Sequence, residues 1–204
     1  MKSGGSGRLM FLFLCFWFVA FGIYWFWPET VIRHDPGILV KEEPVQKPIS
    51  VHGWEKGDYR ITPLAEFEAK ALVLHLKKYG SGRESDLSPI DLALGWGPMS
   101  DQSVIDRLEI SQSGRWYEYK ARVLPIPQKV ISASSSNMHM IPADEEVEDV
   151  LDDLHRGDIV WFSGYLVEAK SSDGWGWRSS LSRTDEGNGA CEIVWVRDVK
   201  RIDY

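Results

Sequence analysis

The chain has 204 residues, 44% hydrophobic and 26% charged, with a formal net charge of −7. Lys2 and Arg8 are two of its 23 basic residues; the other 21 face 30 acids, a balance of −9 that repels a phosphate backbone and speaks against nucleic acid as a partner. The length beyond an N-terminal leader, about 150 residues, suits one domain with its own core and not two.

Residues 1–8 are short, polar and basic, and read as a cytoplasmic N-terminus. Residues 9–27, LMFLFLCFWFVAFGIYWFW, carry no charge. As a helix they would span roughly 28 Å, the thickness of a bilayer's hydrocarbon core. Tyr24, Trp25 and Trp27 crowd the far end, where amphipathic rings favour the headgroup zone. The run is too long for a signal peptide's apolar core and ends in bulky residues rather than a small-residue cleavage site. The expectation is an uncleaved transmembrane anchor embedded in lipid through residues 9–27. Lys2 and Arg8 then place the N-terminus inside, making the chain a single-pass protein of the inner (cytoplasmic) membrane with a periplasmic or extracellular domain.

Residues 28–53 hold four prolines and no sustained period, and predict an extended tether. The domain proper is expected over 54–204. Its first element reads as a helix over 62–80: Thr62 can cap, Pro63 suits the first turn, and Leu64, Phe67, Ala71 and Leu74 share a helical face. Two shorter helices are expected at 88–94 and 100–108, joined by GWGP, with Trp96 either a packing plug or an exposed contact ring. From Arg115 the pattern alternates as strands do, through RWYEYKARVL and then KVISAS. ADEEVEDVLDDLHRGD reads as an acidic helix, with Val147, Val150, Leu151 and Leu154 on one face. Three strands follow, DIVWFSGYLVEAK, WGWRSSLSR and CEIVWVRDVKRI, the first two joined by the hairpin signal SSDG. The expected fold class is α+β: the transmembrane helix, then helices, then a mostly antiparallel, barrel-like sheet with one inserted helix.

The sharpest catalytic constellation is Cys191 as nucleophile, His139 as base and Asn137 as orienter, which would make a thiol-dependent hydrolase or transferase. Cys191 has two competing readings, a buried strand thiol and an intermolecular disulfide. No second His or Cys stands at ligand spacing from His139, and no phosphate loop or dinucleotide fingerprint occurs, so neither a metal nor a cofactor is expected. For binding, the candidates are Trp96, Trp175, Trp177 and Arg178: paired rings stack on a sugar or peptide, and a guanidinium donates to an acid.

The motifs DLALGWGPMSD, SNMHMIPA and SSLSRTDEGNGACE resemble an uncharacterised family of bacterial single-pass, membrane-anchored proteins. That likeness implies the anchored topology and no activity. RGDIVWFSGYLVEA is similar to strands of small closed β-barrels such as OB-folds, which implies a binding module. The expected function is a membrane-anchored extracytoplasmic binding or accessory domain that contacts an envelope protein or an envelope glycan. The alternatives are the thiol enzyme and a structural subunit of a membrane complex.

Overall fold

A computed structural model of the chain describes Phe13, Trp17 and residues 30–182 and 190–203. The chain divides into two compact units, Met1–Thr30 and Val31–Tyr204. In the first, Phe13 and Trp17 are helical and exposed. The rest of the run 9–27, expected to be a membrane helix, lies outside the described residues. Among the described residues no helix is long and apolar enough to cross a membrane.

The second unit is mostly β, which corrects the expected α+β order of helices before sheet. Its elements are β1 (Val45–Pro48), β2 (Trp54–Lys56), β3 (Tyr59–Lys78) and β4 (Ile90–Gly95). Next come the short helix α1 (Gln102–Ile105), β5 (Glu109–Ser113), β6 (Trp116–Lys120) and α2 (Gln128–Ala133). The chain ends with β7 (Ser135–Pro142), α3 (Glu145–Asp152), β8 (Ile159–Ser171), β9 (Gly176–Arg178) and β10 (Glu192–Ile202).

The segment expected to be a helix over 62–80 is therefore most of a 20-residue strand. Its Ala, Glu, Leu and Lys content favours helix, but the charges stand at period two. Glu66 and Glu68 face out while Ala65, Phe67, Ala69 and Ala71 are buried. Burial of that face against β8 overrides propensity. The same override turns the expected helix at 88–94 into β4, six residues buried throughout. The expected strand KVISAS is instead α2, and the expected helix at 100–108 shrinks to α1.

The strands close on themselves. β3 pairs with β4, β4 with β7, β7 with β10, β10 with β8, and β8 returns to β3. Only β7 and β10 run parallel in this five-stranded ring. β1 and β2 flank β3, β9 flanks β8, and β5–β6 form a separate hairpin. Closure requires bends, which sit at register shifts: Pro63/Ala65 and Val73/His75 in β3 and Val196/Asp198 in β10. At the first, Pro63 lies opposite Val167 and Ala65 opposite Leu166, so the strand changes which core it faces. At the last, Gly164 meets β10 so closely that a Cβ there would stand 1.9 Å from the Trp195 carbonyl oxygen.

The main core holds Phe67, Leu72, Leu92, Leu94, Met138, Met140, Phe162 and Val196, with Val147 and Leu151 supplied by α3. Asp144 caps α3 by accepting from Val147 N at 3.0 Å. A second, smaller core gathers Tyr59, Ile61, Ile141, Val167, Ala169 and Ile193 under five aromatic rings: Trp54, Tyr165, Trp175, Trp177 and Trp195.

The expected tether is not free along its length. Val40 is fully buried in the main core, and Ile32 N donates to Arg156 O at 2.8 Å. Gly97 N donates to Val40 O at 2.7 Å, and Val40 N to Ser100 Oγ at 3.0 Å. Residues 31–40 are thus a strap laid on the barrel. Gly157, at φ 92, admits it: a Cβ would meet Ile32 O at 1.9 Å.

Candidate functional site

Asp91 interrupts the apolar run of β4 and is fully buried. An ionised carboxylate there requires partners. Two converge on it. β4 pairs with β7 so that Asp91 lies opposite His139, whose Nδ1 stands 2.9 Å from Asp91 Oδ1. Arg115 arrives from the β5–β6 hairpin and donates from Nη1 to the same oxygen at 2.7 Å and to Ser88 O at 2.9 Å.

Local sequence explains the reach of Arg115. Gly114 and Arg115 form the two-residue hairpin turn, with φ values of 58° and 71°. A left-handed arginine is uncommon, and here its backbone N donates to Tyr79 Oη at 3.2 Å while its guanidinium lies 3.8 Å from the Tyr79 ring centroid. Burial first, and then the Asp91 charge, push the Tyr79 phenol above its usual range.

A second polar chain runs beside the first. Asn137 Nδ2 donates to Arg115 O at 3.0 Å, Gln112 Nε2 to Asn137 Oδ1 at 2.6 Å, and the His75 Nδ1 lies 2.9 Å from Gln112 Oε1. These bonds pin the hairpin over the β4–β7 face. Their plain chemical consequence is structural.

Cys191, Asn137 and His139 come together at the β7–β10 pairing, but not as a catalytic set. Asn137 hydrogen-bonds the Cys191 thiol, while His139 turns to Asp91 and packs on Trp177 at 4.8 Å between centroids. Burial, then the Glu192 charge, push the thiol up to about 11, against the Asn137 bond. At pH 7 such a thiol is thiolate in about one molecule in 10⁴, which does not suit a nucleophile.

The binding candidates separate. Trp96 is 1% exposed and belongs to the main core, so it presents no ring to a ligand. Trp175 and Trp177 are half-buried, 6.2 Å apart, at the edge of the smaller core. Arg178 is exposed beside them and pairs with Glu168 at 3.3 Å. Facing them from the β3–β4 connection is Arg83, which grips Asp173 with two hydrogen bonds of 2.7 and 2.9 Å. Its guanidinium lies 4.9 Å from the Trp175 ring centroid. The grip holds the Asp173 carboxyl down to about 2.

Sequence reasoning did not single out Asp91, Arg115, Arg83 or Asp173. Two signals were present: a lone acid within IDLALG, and the turn SGRW between two alternating strands. Among the described residues no group of three or more His, Cys, Asp or Glu side chains is arranged to hold a metal ion. Comparison with protein-family models, with curated proteins and with solved structures gives no match.

Proposed function

We propose that the chain is a membrane-attached, extracytoplasmic binding domain whose barrel is of the OB type. Its ligand, a glycan or a partner protein of the cell envelope, is taken at the rim formed by Arg83, Asp173, Trp175 and Trp177. The observation that carries the reading is the meeting of two connections over one barrel edge, Arg83 from β3–β4 and Asp173–Trp175 from β8–β9. In five-stranded Greek-key barrels of this kind the loops of that edge take the ligand. Among the described residues the cations near the rim lie beside carboxylates: Arg83 beside Asp173, Arg115 beside Asp91, and Arg178 and Lys170 both beside Glu168. A neutral, hydroxyl-rich ligand suits that balance better than a phosphate polymer, because aromatic edges and matched donor–acceptor pairs serve hydroxyls. The charge-free run 9–27 supports membrane attachment, and Lys2 and Arg8 support the extracytoplasmic side.

The test is a titration of the full chain with envelope oligosaccharides, read by tryptophan fluorescence. Saturable quenching that weakens at least tenfold in Trp175→Ala and Trp177→Ala, with Trp161→Ala unaffected, supports a glycan ligand. Quenching unchanged in the two rim variants sinks the rim as the site.

A further inference from the structure

Loops of soluble domains are rich in Gly, Asn, Asp and Ser. The connection from β6 to α2 is not. Residues 123–127 read Val-Leu-Pro-Ile-Pro, five consecutive apolar side chains, between Lys120 and Arg122 on one side and Lys129 on the other. Val123 is 69% exposed, the most exposed large hydrophobic side chain among the described residues, and Leu124 is 37% exposed. Ile126 instead packs against the main core and fixes the loop's base. The two prolines, each with a fixed φ, stiffen the segment and remove two backbone donors that water would otherwise satisfy. The apolar tip is therefore held outward.

The flanks are equally selective. In a domain with a strong acidic excess, residues 120–129 contain three cations and no acid. Lys120 lies 3.9 Å from Glu118 with its side chain 74% exposed. Arg122 and Lys129 are exposed and have no ion-pair partner among the described residues. Scattered surface hydrophobes need no explanation, but a stiff apolar tip between unpaired cations combines the two signals that bind a lipid surface, apolar insertion and attraction to anionic headgroups. Protein interfaces are depleted in Lys, and two of the three cations here are Lys120 and Lys129.

We propose that the 121–129 loop is a membrane-contact loop, its Val123–Leu124 tip entering the headgroup boundary of a bilayer containing anionic lipid and Lys120, Arg122 and Lys129 pairing with the headgroups. The proposal rests on the membrane attachment in the reading above and adds a second, domain-borne contact to it.

The experiment uses the full chain carrying Cys15→Ser and Cys191→Ser, labelled with an environment-sensitive dye at Val123→Cys or, as control, at exposed Ser172→Cys. Phosphatidylcholine vesicles, with and without phosphatidylglycerol, carry a headgroup-region quencher. The expected result is a blue shift and quenching at 123 and neither at 172, stronger with phosphatidylglycerol. Arg122→Glu with Lys129→Glu should weaken the anionic preference by roughly 25-fold or more, from about fivefold for each cation lost. A chain that enters the vesicles with its 123 label as water-exposed as the 172 label overturns the loop contact and leaves the membrane reading standing. A chain that does not associate with vesicles overturns both. Equal quenching with and without phosphatidylglycerol overturns the role given to the cations.

Discussion

Removing the Arg115 guanidinium should expose how much of the domain depends on one buried charge. Asp91 is fully buried, and Arg115, whose side chain is 17% exposed, is its closest cation at 2.7 Å. Breaking a buried ion pair from one side costs about 3–5 kcal/mol, because the remaining charge keeps its desolvation penalty. The site is partly open at Arg115, so water offsets part of that, and Arg115→Met should cost about 3 kcal/mol, the low end of that range. For a domain of this size that is a melting point lower by roughly 6–12 °C. Asp91→Asn in the Arg115→Met background removes the stranded charge and should recover about 1–2 kcal/mol, a coupling that a double-mutant cycle measures. The assay is urea unfolding of the four chains, followed by far-ultraviolet circular dichroism. Hydrogen exchange in β5 and β6 should rise in Arg115→Met, since the guanidinium that is lost also donates to Ser88 O and so ties the hairpin turn to the start of β4. A loss under 1 kcal/mol for Arg115→Met would refute the reasoning, because Asp91 would then not be a buried charge held by Arg115.

Three further perturbations have defined outcomes. Alkylation of Cys191 in the folded chain should rise with an apparent pKa near 11, against about 8.5 unfolded. A folded pKa raised in this way gives stability that is complete below about pH 8.5 and lost as the pH climbs toward 11, and Cys191→Ala should reduce that dependence while leaving the share of the buried phenols. Gly164→Ala forces a Cβ to within 1.9 Å of the Trp195 carbonyl and should cost about 1–3 kcal/mol by thermal unfolding; no loss would show that β8 and β10 do not meet there. Asp173 is held near 2 by Arg83, so its contribution to rim order is present above about pH 4 and fades as the pH falls through 2. Trp175 fluorescence should report that fading in the native chain, and Asp173→Asn should lack it.

What was legible in the sequence depended on how local its cause was. The strands at β8 and β10 and the helix α3 stand where alternation and a helical apolar face indicate them, because those patterns lie within one element. β3 was misread because Thr62, Pro63 and a run of Ala, Leu, Glu and Lys mimic a helix start. Its strand character comes from β8, about 100 residues further along the chain, and closure of a ring has no local signature. α2 was misread in the other direction: Val130 and Ile131 favour strand, yet only Ile131 is buried and the segment is a single helical step between β6 and β7. At the site, Asn137, His139 and Cys191 were named from their chemistry and lie close together where β7 meets β10, but Asp91, beside His139 and Arg115, falls inside the expected helix over 88–94. Its charge becomes informative only once β4 is known to be buried.

The most direct test of the proposed binding rim is photo-crosslinking from the full chain in living cells. A photoreactive residue would be placed at Trp175 on the rim and, in a second chain, at Trp161, which lies on a different face against Glu68 and Lys200. The account predicts a discrete glycan or protein adduct from position 175, none from 161, and loss of the adduct when Trp177→Ala is added. Adducts from 161 alone, or equal labelling from both positions, would contradict a ligand site at the rim.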